Sequence, residues 1–438
     1  MRGLVVRPVF SLKGKISLPG DKSIAHRALI LSALARGKTI IKNYPANEDC
    51  LSTVAALRKL GLNLKQRSKS VIEVNARGLS GLSKPGSPIF IGESGTTFRL
   101  LSGVLAGQNF VTRLIAGRSL SRRPMLRVTA PLRSMGANIV ARRRGRDEYP
   151  PVTIRGRSLK AITYKMSVAS AQVKGAILLA ALYAKGKTKV IEPVKTRDHT
   201  ERMLRLFKAD IQVKKNTIIV RGGRRLVSPG EIYVPGDISS AAFFMVAAAI
   251  LPGSEIIIKN VSLNPSRSGV ISVLKRMGVR IKVLASKPQA TRGESMGDII
   301  IKGSRLKNAT VKKKEIPSLI DELPILMVAG ASGRGKTVFQ GVEELRVKEA
   351  DRINSMFSNL KKMGADIRVV KSGRAENIVV RGIGQLKGAS VRSFGDHRTA
   401  MSMIVAGLAA IGQTKIDDIS CINKSFPGFI KVLGGLTS

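Results

Sequence analysis

Several short stretches gather the residue types that hold small anions. The run from Pro19 to Arg27 places Lys22, Ser23 and Arg27 around the first turn of an apolar helix. If that helix is buried, both cations need anionic partners, because an unpaired buried charge is costly. The alternative is a solvated face. Gly92 to Arg99 opens a second apolar helix with small residues, where backbone N–H groups can approach a phosphate closely. Arg122 and Arg123 stand side by side before Pro124, an arrangement suited to clamping an anion. Ser170-Ala171-Gln172 and Thr196-Arg197-Asp198-His199 add hydroxyl, amide and guanidinium groups.

Further along, Asp321 and Glu322 put acids at a helix start, where capping is the competing explanation. Arg346 to Arg352 alternates charges over seven residues; alone this reads as a solvated face. Gly395 to Arg398 precedes another apolar run, and His397 there reads first as a structural hydrogen-bonder. Near the end, Lys424 is a candidate anion contact and Cys421 a small core residue. One motif misleads. Gly330 to Thr337 matches the pattern G-x-x-x-x-G-K-T, but a phosphate-binding loop of that type follows a strand and opens a helix. Here it follows the helix Glu322–Ser332 and enters a strand, and Gly-Lys-Thr recurs at Gly37 and Gly186 in the same position. It is a helix-to-strand turn.

The elements that must position these groups form a repeat. A polar opening, an Ala/Leu-rich helix, a glycine and a β-branched strand recur six times, the glycines being Gly37, Gly107, Gly186, Gly253, Gly335 and Gly412. They are spaced 67 to 82 residues apart. A second, amphipathic helix follows in each repeat, ending at Gly61, Gly136, Gly278 and Gly364, with Leu204–Ala209 a weaker copy. Glycine there suits the left-handed cap that stops a helix. The sixth repeat ends just after Phe429–Leu433, without closing strands. The strand-like stretches Leu4–Arg7 and Gly14–Leu18 are expected to complete it.

That closure puts both chain ends in one lobe. Leu18-Pro19-Gly20-Asp21 and Val234-Pro235-Gly236-Asp237 are near-copies, and Pro-Gly turns there would serve as paired hinges. One lobe is therefore expected over 1–18 and 236–438, the other over 20–234, with a substrate cleft between them. The six Ala/Leu-rich helices are apolar almost all round, which predicts that they lie inside the lobes. Their positive N-terminal ends favour phosphate and carboxylate ligands.

Composition bounds the rest. Of 438 residues 43% are hydrophobic and 24% charged, which reads as globular, and with no Trp and 4% aromatics the core must be aliphatic. Apolar runs such as Ala241–Leu251 fall short of the roughly 20 residues that span a bilayer. The first ten residues have no apolar core for a secretion signal, so no membrane is involved and cytoplasm is the expectation. Two cysteines and three histidines make no disulfide framework or metal cluster. Lys and Arg number 76 against 28 Asp and Glu, a net charge of +48. The excess is spread along the chain without a nucleic-acid-binding motif, which predicts non-specific adhesion to polyanions at low salt and no specific nucleic-acid partner. A monomer is expected.

Taken together, the stretches Lys22–Arg27, Arg346–Arg352 and Gly395–Arg398, in this order along essentially the whole chain, resemble the 5-enolpyruvylshikimate-3-phosphate synthase family of enolpyruvyl transferases. The resemblance implies a two-lobed, inside-out α/β barrel, each lobe of three βαβαββ repeats around buried helices, in agreement with the repeat count. It implies addition of the 5-hydroxyl of shikimate 3-phosphate to C2 of phosphoenolpyruvate, protonation of C3, and loss of phosphate, without metal or organic cofactor. This is a step of chorismate and aromatic amino acid biosynthesis. By motif, Asp321 matches the general base, Glu349 the acid that protonates C3, and Lys22 a bridge between substrates and a proton carrier. Shikimate 3-phosphate would meet Lys22, Ser23, Arg27, Ser170, Ala171, Gln172, Thr196, Asp321 and Lys348. Phosphoenolpyruvate would meet Lys22, Gly95, Arg123, Gln172, Arg352, Arg398 and Lys424.

Two departures stand out. The family commonly has Asn where Glu93 stands, so a negative charge is expected near the phosphoenolpyruvate pocket. It also commonly has an acid near Arg118. The related family that transfers enolpyruvyl to UDP-N-acetylglucosamine is the nearest alternative; it usually carries a Cys in a loop of the second repeat, and this chain has none between Cys50 and Cys421. A basic nucleic-acid binder on the same scaffold is the alternative of a different class.

Overall fold

A computed structural model describes residues 3–286, 293–373 and 375–437. The chain divides into two compact units. The terminal unit comprises Met1–Pro19, Pro235–Lys287 and Ser295–Ser438; the central unit comprises Gly20–Val234 with Pro288–Glu294. Of that last short segment Gly293 and Glu294 are described.

Twelve α-helices occur among the described residues, alternating between two kinds. In the central unit α1 (Lys22–Leu34), α3 (Gly95–Ala106) and α5 (Ala171–Ala181) are buried, whereas α2 (Glu48–Lys59), α4 (Leu126–Ser134) and α6 (His199–Leu206) are amphipathic. The terminal unit repeats this with buried α7 (Ile238–Ile250), α9 (Leu323–Ser332) and α11 (His397–Leu408), and with α8 (Gly269–Arg276), α10 (Arg352–Lys362) and α12 (Phe429–Gly434). Small side chains let the inner helices pack closely. A Cβ on Gly103 of α3 would strike the backbone of Ala176 in α5, so only glycine fits that crossing.

Sheets cover the helices. Arg36–Lys42, Val71–Arg77, Leu64–Ser68 and Glu231–Tyr233 form one sheet of the central unit, with Ile41 opposite Ile72 and Gly37 opposite Ala76. Along Arg36–Lys42 the side chains alternate: Thr39 and Ile41 face the core, while Arg36, Lys38 and Lys42 are exposed. This period of two puts the basic residues of this strand on the outside. The other two sheets of the unit, and two of the three in the terminal unit, are likewise four-stranded.

The N-terminal strands go to different repeats. Leu4–Val6 pairs antiparallel with Thr414–Ile416 and completes the sixth repeat, as expected. Lys13–Ser17 instead pairs parallel with Glu255–Ser262 of the fourth. Reciprocally, Glu231–Tyr233 pairs parallel with Arg36–Lys42 of the first. A parallel pair needs a crossover through a helix, and each of these strands takes the helix after the other Pro-Gly crossing.

Helix ends follow the sequence signals. Asp21, Ser94, Ser170, Asp237 and Asp396 each cap a buried helix by accepting a hydrogen bond from its first turn. Gly61, Gly136, Gly278 and Gly364 all adopt positive φ after their outer helices. In the weaker copy Lys208 takes that left-handed position, at φ 61°. The Gly330–Thr337 stretch is the expected turn between α9 and the strand Arg334–Phe339. The terminal unit also closes on four phenylalanines, Phe243, Phe244, Phe426 and Phe429, with centroids 5.3 to 6.1 Å apart. No described helix is long and apolar enough to cross a membrane.

Candidate functional site

In the central unit the first turn of α3 is linked to α1, through Thr97 and His26, and to the first turn of α5, through Thr96 and Gln172. Lys22 donates to Asp49 of α2 at 2.7 Å. Arg27, 3% exposed, donates through Nε to Thr200 at 2.7 Å and back to the Ser23 carbonyl at 2.8 Å. Burial lowers its pKa to about 10, with the Glu201 carboxylate working against that, so it stays a cation at neutral pH. Gly95 begins α3, and a Cβ there would lie 2.9 Å from the Arg123 guanidinium and 3.0 Å from that of Arg99. Only glycine leaves both arginines in place.

Arg99 donates to the Gln172 carbonyl oxygen, and the Gln172 amide donates to Thr96 at 2.9 Å, which ties α3 to α5. Ser170 caps α5, and the first-turn N–H groups at Ala171 and Gln172 have no acceptor inside the helix. Thr196 donates its N–H to Glu192 at 3.1 Å and its hydroxyl to the same oxygen. Behind α1, His26 is fully buried against Thr53, and burial, then Lys22 and Arg27, hold it neutral well below the usual imidazole range.

Glu93 is held by backbone donors. Its two oxygens accept from the backbone N–H groups of Ser119 and Leu120, at 3.2 and 2.7 Å, at the start of the 3-10 turn Leu120–Arg122 that precedes Arg123. The charge is engaged by the loop that carries the arginine. Arg122 is exposed and Arg118 likewise.

In the terminal unit the first turns of α7, α9 and α11 converge in the same way, around acids. Arg352, 1% exposed, begins α10 and binds three carboxylates at once: Asp396 at 2.8 Å, Glu349 at 2.6 Å and Asp321 at 3.3 Å. Burial alone would lower its pKa, but Asp396, Glu349 and Asp321 outweigh burial and hold it above the ordinary arginine value. Burial works to raise Asp396, yet Arg352 and His397 keep it below the usual carboxylate range. Arg398 donates to the Asp321 carbonyl at 3.0 Å and stands 3.9 Å from its carboxylate. Lys424 reaches the Gly395 carbonyl at 3.2 Å. Lys348 is half-buried at the end of the 3-10 turn Glu343–Val347. Cys421 is a core thiol, pushed up to about 12, first by burial.

Glu322 is not a helix cap. It makes no capping bond; fully buried, it takes both oxygens to Arg267, at 3.1 and 2.9 Å, and accepts from Ser239 of α7. Arg267 also lies 3.6 Å from Asp321. The Asp321 carboxylate thus lies within 4 Å of three guanidiniums, those of Arg267, Arg352 and Arg398.

The sequence reading missed a supporting layer. Lys174, fully buried in α5, pairs with Glu201 at 2.6 Å and Glu192 at 3.1 Å. His199 bonds Glu294 at 2.7 Å, from the short segment joined to the central unit. Asp49 and Arg267 complete the set. Lys174 could have been found: a lysine inside a helix apolar all round must have buried acids beside it. Arg267 carried no such mark among 76 cations. Among the described residues no group of three or more His, Cys, Asp or Glu side chains could hold a metal ion.

The chain's relatives bear on this arrangement. A family profile described as EPSP synthase (3-phosphoshikimate 1-carboxyvinyltransferase) matches residues 6–433. A protein of Desulforamulus reducens named 3-phosphoshikimate 1-carboxyvinyltransferase is 47% identical over 430 residues, 98% of each chain. One of the same name from Syntrophomonas wolfei is 49% identical over 428 residues, again 98% of each. A solved EPSP synthase structure from Acinetobacter baumannii superposes with a TM-score of 0.87 at 41% identity, covering 99% of this chain and 98% of that one. With both the sequence match and the two-lobed inside-out α/β architecture in agreement along its length, the chain belongs to the EPSP synthase family.

Proposed function

We infer that this chain is a 3-phosphoshikimate 1-carboxyvinyltransferase: it moves the enolpyruvyl group of phosphoenolpyruvate to the 5-hydroxyl of shikimate 3-phosphate, in aromatic amino acid biosynthesis. Family membership carries the reaction. The observation that supports the residue roles is Arg352, which gathers Asp321 and Glu349, 28 positions apart, onto one guanidinium.

In this reading Asp321 accepts the proton of the 5-hydroxyl as its oxygen bonds to C2 of phosphoenolpyruvate. Glu349, with Lys22 as a proton carrier, delivers a proton to C3, giving a tetrahedral ketal phosphate. A proton then leaves C3, the C2–O bond to phosphate breaks, and the enol ether and inorganic phosphate remain. Phosphoenolpyruvate draws on Lys22, Gly95, Arg123, Gln172, Arg352, Arg398 and Lys424. Shikimate 3-phosphate draws on Lys22, Ser23, Arg27, Ser170, Ala171, Gln172, Thr196, Asp321 and Lys348. Fixed cations and helix N-termini suit substrates that bring two phosphates and two carboxylates, and stabilise charge developing on the leaving phosphate.

A phosphate-release assay tests the reading. Turnover should require both substrates, and UDP-N-acetylglucosamine should not replace the second. Asp321→Asn and Glu349→Gln should each lower kcat by about 10²–10⁴-fold, the usual worth of general acid–base groups, with unchanged circular dichroism. Near-normal turnover in both variants would remove these roles. We further place the enzyme in the cytoplasm as a monomer, with its charge of +48 giving polyanion adhesion that weakens steeply with salt. Sedimentation and heparin elution at two salt concentrations check both.

A further inference from the structure

We propose that Glu192, which no reaction step uses, is a positioning residue for shikimate 3-phosphate, acting through Thr196. The inference rests on the functional reading above, which makes Thr196 and Arg27 contacts of that substrate.

Glu192 is 3% exposed and one of its oxygens does three things. It accepts the N–H of Thr196 at 3.1 Å, accepts the Thr196 hydroxyl, and meets the Lys174 ammonium at 3.1 Å. The first two contacts close the turn between the strand Lys187–Ile191 and α6 across four residues. The third anchors that turn to α5, whose first residues are themselves substrate contacts. Lys174 passes the constraint on to Glu201 at 2.6 Å, in the first turn of α6. Its neighbour Thr200 accepts from Arg27 at 2.7 Å. Gly175, next to Lys174, leaves the room: a Cβ there would stand 3.1 Å from the Thr200 hydroxyl. A single buried chain of contacts therefore links Thr196 to Arg27.

Charge alone argues the other way, which makes the proposal decidable. Glu192 is a buried carboxylate near an anion site, and its electrostatic effect is to weaken anion binding. It also occupies the one proton of the Thr196 hydroxyl, which would otherwise be available to a phosphate oxygen. If Glu192 were only a background charge, its removal would tighten the substrate. If it positions Thr196, removal loosens the substrate despite the gain in charge.

The experiment measures shikimate 3-phosphate binding by calorimetry and steady-state kinetics for both substrates on the full chain. Glu192→Leu should raise both Kd and KM for shikimate 3-phosphate at least about tenfold, with kcat and KM for phosphoenolpyruvate within about twofold. Glu192→Gln keeps one acceptor oxygen and should cost only about two- to threefold. Adding Glu192→Gln to Thr196→Val should cause no further loss, since the carboxylate acts through the residue already removed. Equal or tighter binding in Glu192→Leu, or a fall in kcat matching the rise in KM, overturns the proposal. Should Glu192→Leu not fold, additive losses in Glu192→Gln and Thr196→Val overturn it equally. A wild-type chain that neither binds nor turns over shikimate 3-phosphate overturns the functional reading together with the proposal. Wild-type turnover with unaffected variants overturns the proposal alone.

Discussion

Replacing Arg352 by Met should unbalance three carboxylates at once. Asp396 has no exposed surface, and Arg352 is its guanidinium partner at 2.8 Å. Glu349 at 2.6 Å and Asp321 at 3.3 Å are 24% and 17% exposed, so water can compensate them in part. The largest cost thus comes from one buried, stranded charge. Removing one partner of a buried pair costs about 3–5 kcal/mol. In a unit of roughly 200 residues each kcal/mol shifts Tm by about 2–4 °C, so the terminal unit should melt about 6–20 °C lower. Scanning calorimetry reads the shift, and hydrogen exchange in α10 and α11 locates it. The cause can be isolated. Asp396→Asn in the Arg352→Met background removes the stranded charge, and an Asn carbonyl still caps α11, where Asp396 accepts from Arg398 at 2.7 Å and Thr399 at 3.2 Å. The double variant should recover at least about half of the lost stability. Turnover should stay at least about 10²-fold down, because the proposed phosphoenolpyruvate contact is still missing. A single variant that melts within about 2 °C of wild type, or a double variant no more stable than the single, would refute the reasoning.

The remaining expectations concern the central unit. Glu93→Asn exchanges a carboxylate that accepts from both Ser119 and Leu120 for a single carbonyl acceptor; KM for phosphoenolpyruvate should rise about two- to tenfold through Arg123, with that for shikimate 3-phosphate unmoved. A lower phosphoenolpyruvate KM would mean the charge itself was the obstacle. His26 is held neutral by burial with its pKa below the unfolded value, so the unfolded chain binds the extra proton and stability falls as pH drops below about 6.5. His26→Asn should flatten the dependence of the urea midpoint between pH 7 and 5, by up to about 1.4 kcal/mol per pH unit; identical slopes would show that another group titrates there.

The repeat was legible in the sequence, because it rests on local rules. An Ala/Leu-rich helix apolar all round has to be buried wherever it occurs, and α1, α3, α5, α7, α9 and α11 are. A helix followed by Gly and a β-branched strand turns back, whatever lies nearby, which is why the Gly330–Thr337 stretch could be set aside. Motif order was enough to single out Lys22, Arg27, Asp321, Glu349 and Arg398 as the residues proposed above for substrate binding and proton transfer.

Only the folded chain decided who holds those groups. Lys13–Ser17 and Glu231–Tyr233 exchange sheets, and nothing in two short strands specifies a partner roughly 190 to 240 residues away. Glu322 resembles a helix cap until Arg267 is seen on it, and Glu93 resembles an intruding charge until Ser119 and Leu120 are seen to donate to it. Glu192, Lys174 and Glu201 gain meaning only from mutual burial. Hydrophobic periodicity is written residue by residue along the chain. The pairing of a buried charge depends on which distant side chain the fold brings within about 3 Å of it, and that distance exists only in three dimensions.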